Sequence, residues 1–203
     1  YLICESTYGG RPSPAKQDLT AALEKIVNET VQRGGKLIIP AFAVGRTQSV
    51  VYELAVLMHA KRVPGIPVFI DSPLAINATE IFRMHPDCLD RDVVQFAIEV
   101  GGILNCADCR TAESVEASKA INSVPPPCII VSASGMCESG RILHHLKNNI
   151  ENPRNTILIV GYQAVNTLGR RIEERQPKVR IHGEDFNLRA RVEALEGFSG
   201  HAH

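Results

Sequence analysis

The chain has 203 residues, and its 22 Lys and Arg balance 22 Asp and Glu. Zero net charge excludes nucleic-acid binding by bulk charge alone, while leaving room for a local phosphate-binding cleft. With 44% hydrophobic and 22% charged residues, the composition excludes disordered, collagenous and coiled-coil classes, and a chain of this length buries roughly 70% of its unfolded surface.

No run reaches the ~18 apolar residues of a membrane span, and the first residues do not read as a signal peptide. The six cysteines, Cys4, Cys88, Cys106, Cys109, Cys128 and Cys137, are irregularly spaced and do not form a disulfide framework. A reduced, cytoplasmic setting is therefore expected. Cys106 and Cys109 make one CxxC. A structural zinc site usually needs a second pair or nearby histidines, so free thiols are the expectation.

In chain order, YLICES (1–6) reads as a buried strand. Residues 13–33 read as a helix with Leu19, Leu23, Ile26, Val27, Thr30 and Val31 on one face, stopped by Gly34-Gly35. KLIIP (36–40) predicts a short buried strand and 45–61 a second helix, with Val50, Val51, Leu54 and Met58 inward. PVFID (67–71) predicts a strand and 75–84 a helix. Residues 85–127 predict only short helices, the CxxC and a Pro125-Pro126-Pro127 stop. CIIVSA (128–133) and TILIVGY (156–162) predict strands, followed by helices at 140–149 and 168–174. KVRIH (178–182) and the alternating LRARV (188–192) predict closing strands. Strand, loop and helix repeat at least four times, and the leading strands are continuous Ile/Val/Leu runs. This predicts an α/β fold, a mainly parallel sheet with helices on both faces.

In such a sheet, ligands lie beyond the carboxyl ends of the strands. Those ends carry Arg46, Ser72, Ser132, Ser134, Arg141 and Gln163. Hydroxyls, helix-start N–H groups and arginines bind phosphate oxygens without reading bases. Singly, each Ser or Thr also reads as a helix cap. GxGxxG and GxxxxGK are absent, which removes the dinucleotide and Walker A readings. Ser134-Gly135 after a strand lacks the GxSxG of a nucleophile elbow. His144 and His145 are adjacent on a helix, so they point apart and do not pair on a metal. One of them is expected to face the cleft or to lie as a surface or capping residue.

The loops occur as an ordered set: Glu5-Ser6-Thr7-Tyr8-Gly9, Pro40-Ala41-Phe42-Ala43-Val44-Gly45-Arg46, Asp71-Ser72-Pro73-Leu74, Ser132-Ala133-Ser134-Gly135-Met136, Gly161-Tyr162-Gln163 and Gly197-Phe198-Ser199-Gly200-His201. This set resembles the β-CASP family of metallo-β-lactamase-fold ribonucleases, among them bacterial and archaeal relatives of the pre-mRNA 3′-end endonuclease. The resemblance covers nearly the whole chain. It implies a β-CASP lid inserted into a metallo-β-lactamase domain that holds two zinc ions, with RNA passing between them and a zinc-bound hydroxide attacking the phosphodiester.

On that resemblance, Glu5 matches the family's first motif. His201 matches its second, a histidine near the scissile phosphate often assigned as general acid. HxHxDH and the third, HGE-type motif do not match; His182-Gly183-Glu184 precedes His201 and is out of order. His203 stands where the family usually has Asp and is given no role. The implied domains are 1–9, the end of the metallo-β-lactamase part; 10–199, the β-CASP domain; and 200–203, the start of the returning part.

The expectation is an RNA-binding lid of a zinc-dependent ribonuclease, with no metal in this chain, which alone is inactive. Catalytic roles fall to Glu5 and His201, their heavy atoms within roughly 3 to 6 Å. RNA binding falls to Arg46, Ser72, Ser132, Ser134, Arg141 and Gln163. Expected partners are RNA, the metallo-β-lactamase domain and a second copy in a homodimer, with no membrane. The alternatives are a non-catalytic RNA-binding or dimerisation module and a serine hydrolase using Ser134.

Overall fold

The computed structural model describes residues 1–4, 16–104, 106 and 108–198. The elements in order are α1 (Lys16–Gln32), β1 (Lys36–Pro40), α2 (Arg46–His59), β2 (Val68–Asp71), α3 (Pro73–Met84), a 3-10 turn (Pro86–Cys88), α4 (Arg91–Val100), β3 (Cys109–Thr111), α5 (Val115–Ile121), β4 (Cys128–Ser132), α6 (Ile142–Asn149), β5 (Thr156–Ile159), α7 (Leu168–Glu173), β6 (Lys178–Ile181), β7 (Glu184–Asn187) and β8 (Arg191–Ala194). Six strands form one sheet in the order β3-β2-β4-β1-β5-β8, and every neighbouring pair is parallel.

Side chains alternate across a strand, so each apolar run divides between two cores. Leu37, Ile39, Val68, Ile70, Ile129, Val131 and Leu158 face α1 and α2 through Leu23, Val27, Val50 and Leu54. Ile38, Ile157 and Ile159 face the other way, against Ile142, Leu146 and Ile150 of α6 and its end, and Ile172 of α7. Phe69 and Ile130 close that second face against Ile121 of α5. Both faces are therefore dry, and this is why the strands read as unbroken Ile/Val/Leu rather than as alternating runs.

Three expectations change. Tyr1–Cys4 form no strand and are exposed; a strand needs a partner edge, and none of the described strands pairs with them. The last strand lies at Arg191–Ala194, a few residues later than LRARV, where it pairs with β5. KVRIH does not join the large sheet but pairs antiparallel with β7. The link is His182-Gly183, with φ of 50° and 82°. A two-residue hairpin loop of type I′ requires positive φ at both positions, so the HGE-like triplet serves here as a turn.

Local caps follow the chemistry of the first turn. Thr167 accepts from the Arg170 N–H at 3.2 Å, satisfying one N–H that the helix cannot. Thr167→Ala should cost about 1 kcal/mol, read as a lower urea midpoint at unchanged slope.

Candidate nucleic-acid interface

The carboxyl ends of β1, β2 and β4 stand level, with Pro40 and Asp71 both beside Ser132. The loops that leave them interlock. The Ala41 N–H donates to the Ser132 carbonyl at 3.0 Å, and the Gly169 N–H to the Met136 carbonyl at 3.0 Å. Gln163 Nε2 ties the β5 loop to the β4 loop by donating to the Gly135 and Gly161 carbonyls at 3.0 and 2.9 Å. Phe42 lies against Gly135, where an added Cβ would meet its ring at 2.8 Å, and the Arg46 side chain passes over Gly161. The loops at 41–48, 72–74, 132–141 and 161–163 thus share one edge.

Of the residues expected to grip phosphate, three, Arg46, Ser134 and Arg141, are partly buried. Arg46 begins α2, and Ser134 accepts from the Glu138 and Ser139 N–H groups at 3.3 Å each. Ser72, Ser132 and Gln163 are buried. Ser72 caps α3 by accepting from the Ala75 N–H at 3.3 Å, and Ser132 donates to the Asp71 carbonyl at 2.8 Å.

Arg141 differs from the expectation more sharply. Its Nη1 donates to Asp71 Oδ1 and the Ala112 carbonyl, at 2.8 and 2.7 Å, and its Nη2 to the Glu113 carbonyl at 2.7 Å. The guanidinium closes an internal clamp that ties α6 to the end of β2 and to the residues after β3. Phe42 and Tyr162 stand at the same edge, 40% and 39% exposed. An open cleft of about 1170 Å3 begins there, lined by Phe42, Arg46, Tyr52, Leu74, Val93 and Phe198 among others.

Sequence reading missed the centre of this edge. Asp71, 0% exposed, ends β2 and holds three side chains. His145 Nε2 lies 2.6 Å from Oδ2, Ser118 Oγ donates to the same oxygen at 2.5 Å, and Arg141 holds Oδ1. Burial alone would raise the Asp71 pKa. The hydrogen bonds from His145, Ser118 and Arg141 outweigh it and leave the carboxyl below its ordinary value. His145 is itself fully buried, whereas His144 is exposed, its ring 4.8 Å from that of His182. Adjacent helix positions point apart, as expected, but the inward histidine meets a carboxylate. The available signal was Asp71 itself, an acid closing an apolar strand.

Glu5 and His201 lie outside the described residues, and so does their expected approach. Among the described residues, no three His, Cys, Asp or Glu side chains are grouped to hold a metal, so no step through a metal is derived from this chain. Nor is any helix among them long and apolar enough to cross a membrane.

Comparison with known proteins agrees with this architecture. The sequence pattern of the Beta-Casp domain matches residues 47–172. The chain is 39% identical over 201 residues to Ribonuclease TTHA0252 of Thermus thermophilus, covering 99% of this chain and 46% of that protein. It is 35% identical over 209 residues to Transcription termination factor FttA of Methanosarcina mazei, covering 99% and 33%. It is 34% identical over 205 residues to an RNase J-like protein of Methanocaldococcus jannaschii, covering 98% and 46%. The chain thus spans less than half the length of these relatives. On the match over 47–172 and the parallel sheet that carries it, the chain belongs to the Beta-Casp domain family.

Proposed function

We propose that this chain is the RNA-binding lid of a zinc-dependent ribonuclease that hydrolyses phosphodiester bonds in RNA processing or decay in the cytoplasm. The observation that carries the reading is the single edge where Arg46, Ser134, Phe42 and Tyr162 stand together beyond the strand ends. A cation beside half-exposed rings suits single-stranded RNA, because phosphates meet the charge and any base can stack on an aromatic face. Two relatives are named as ribonucleases or RNase-like, which supports the same reading.

In this reading the domain runs over 10–199, and 1–9 and 200–203 belong to the metallo-β-lactamase part. The two zinc ions reside in that part, and it supplies the attacking hydroxide. Glu5 polarises His201, which donates a proton to the leaving oxygen; a histidine beside a carboxylate is favoured as imidazolium. Arg46 and Ser134 meet phosphate, while Ser72, Ser132, Gln163 and Arg141 shape the edge from beneath. The chain alone is inactive.

The test is Arg46→Ala in the full-length protein. RNA affinity should fall by a similar factor for unrelated sequences, and the slope of log affinity against log salt should shrink by about one unit. Unchanged affinity and slope would remove the groove. A serine hydrolase reading has little support, since Ser134 Oγ is held by the backbone N–H groups of Glu138 and Ser139. The non-catalytic alternative, RNA binding or homodimer formation without hydrolysis, predicts no zinc by elemental analysis of the full-length protein.

A further inference from the structure

The CxxC takes no part in the RNA reading, yet its geometry is specific. The Cys109 N–H donates to the Cys106 carbonyl at 3.1 Å. A bond from the fourth residue to the first closes a turn whose end Cα atoms lie within about 7 Å, and disulfides span Cα separations of about 4.4–6.8 Å. Each thiol shifts the ionisation of the other. Cys106 is 5% exposed, with its Sγ 3.9 Å from Met58 Sδ. Cys109, half-buried, opens the edge strand β3.

We propose that Cys106 and Cys109 are a redox-modification site at which a small hydroperoxide closes an intramolecular disulfide. The thiolate sulfur of Cys106 attacks one peroxide oxygen. The O–O bond breaks, and sulfenic acid and hydroxide form. The Cys109 sulfur then attacks the sulfenic sulfur, the S–O bond breaks, and the second oxygen leaves as hydroxide. The two thiol protons convert both hydroxides to water when the oxidant is hydrogen peroxide, so the protein loses two electrons and the peroxide gains them.

The order of events follows from the environments. The hydrogen bond from Cys109 holds the Cys106 thiol below its ordinary pKa despite burial, while that same bond and burial push Cys109 up. Cys106 is therefore the sulfur that ionises first. Its burial admits a molecule the size of peroxide better than a bulky disulfide. The other described thiols lack this arrangement. Cys4 and Cys88 are exposed, and burial pushes the thiols of Cys128 and Cys137 up. Leu104, two positions before Cys106, lines the cleft, so oxidation would tie the cleft wall to the edge strand.

The experiment uses the full-length protein, treated with graded hydrogen peroxide, then denatured, capped with N-ethylmaleimide and mapped by mass spectrometry. The peptide holding Cys106 and Cys109 should escape capping, weigh less by two hydrogens, and recover both caps after dithiothreitol. This should occur at about one-tenth of the peroxide exposure that oxidises Cys88. Cys109→Ser should instead leave a sulfenic acid on Cys106 that a cyclic dione traps. Capping of both cysteines at exposures that oxidise Cys88, pairing of either with another cysteine, or absence of the dione adduct in Cys109→Ser would overturn the proposal.

Discussion

Asp71→Ala is expected to destabilise the protein by about 3 to 5 kcal/mol, because removing one member of a buried ionic cluster strands the others. Arg141 would lose one of its three anchors, and His145 and Ser118 would lose the carboxylate oxygen they share. Chemical denaturation followed by circular dichroism measures it. Asp71→Asn keeps the volume and one carbonyl acceptor but brings an N–H group toward the donors. It should be intermediate.

The wild type should also show the linkage. The native pKa of Asp71 lies below the ordinary 3.8. Its contribution is complete above that unfolded value and is lost as pH falls through the lower native one. Stability should therefore fall more steeply below about pH 4 in the wild type than in Asp71→Asn. Parallel acid profiles, or a loss under about 1 kcal/mol for Asp71→Ala, would mean that the cluster is not electrostatically coupled.

Gly140→Ala should cost about 2 to 4 kcal/mol and weaken RNA binding together with stability. Gly140 has φ of +83°, and a Cβ there would stand 2.5 Å from the Ala133 carbonyl oxygen. Two separate penalties add, left-handed backbone strain and a clash with rigid backbone. The loop cannot yield easily, since the Ser134 N–H donates to the Ser139 carbonyl and the Ile142 N–H to the Ala133 carbonyl, both at 3.1 Å. Gly34→Ala separates the two penalties: φ there is +63°, with nothing within 4 Å of the added atom. It should cost only the strain, about 1 kcal/mol. Equal losses at the two glycines, by thermal or urea unfolding, would refute the clash.

The fold was largely legible because its signal is local. KLII, VFI, CIIV and TILI are each long enough to mark a doubly covered strand, and the helix after each carries its own apolar stripe. β7 and the separation of β6 from the sheet were not legible, because they depend on two consecutive positive φ angles at His182 and Gly183. At the site, the loops could be placed on one edge from topology, but not the direction in which each side chain points. Arg141 and Arg46 look alike in sequence, and only the position of Asp71 marks Arg141 as a clamp. Asp71 and His145 are 74 positions apart. Nothing local marks His145 over His144 as the residue that meets it.

The strand order also bears on synthesis at the ribosome. β1 is the first of the six sheet strands to emerge, yet both of its neighbours, β4 and β5, come late. Lys36–Pro40 pairs with Cys128–Ser132 and then with Thr156–Ile157, so the central ladder cannot begin until well over half of this segment has been translated. Until then Leu37, Ile38 and Ile39 emerge with no sheet to enter, and β2 can pair only with the three-residue β3. Parallel pairing across such separations is slow, and unpaired apolar strands in a growing chain are prone to aggregate. Of the nascent intermediates, those ending between β1 and β4 should depend most on chaperones.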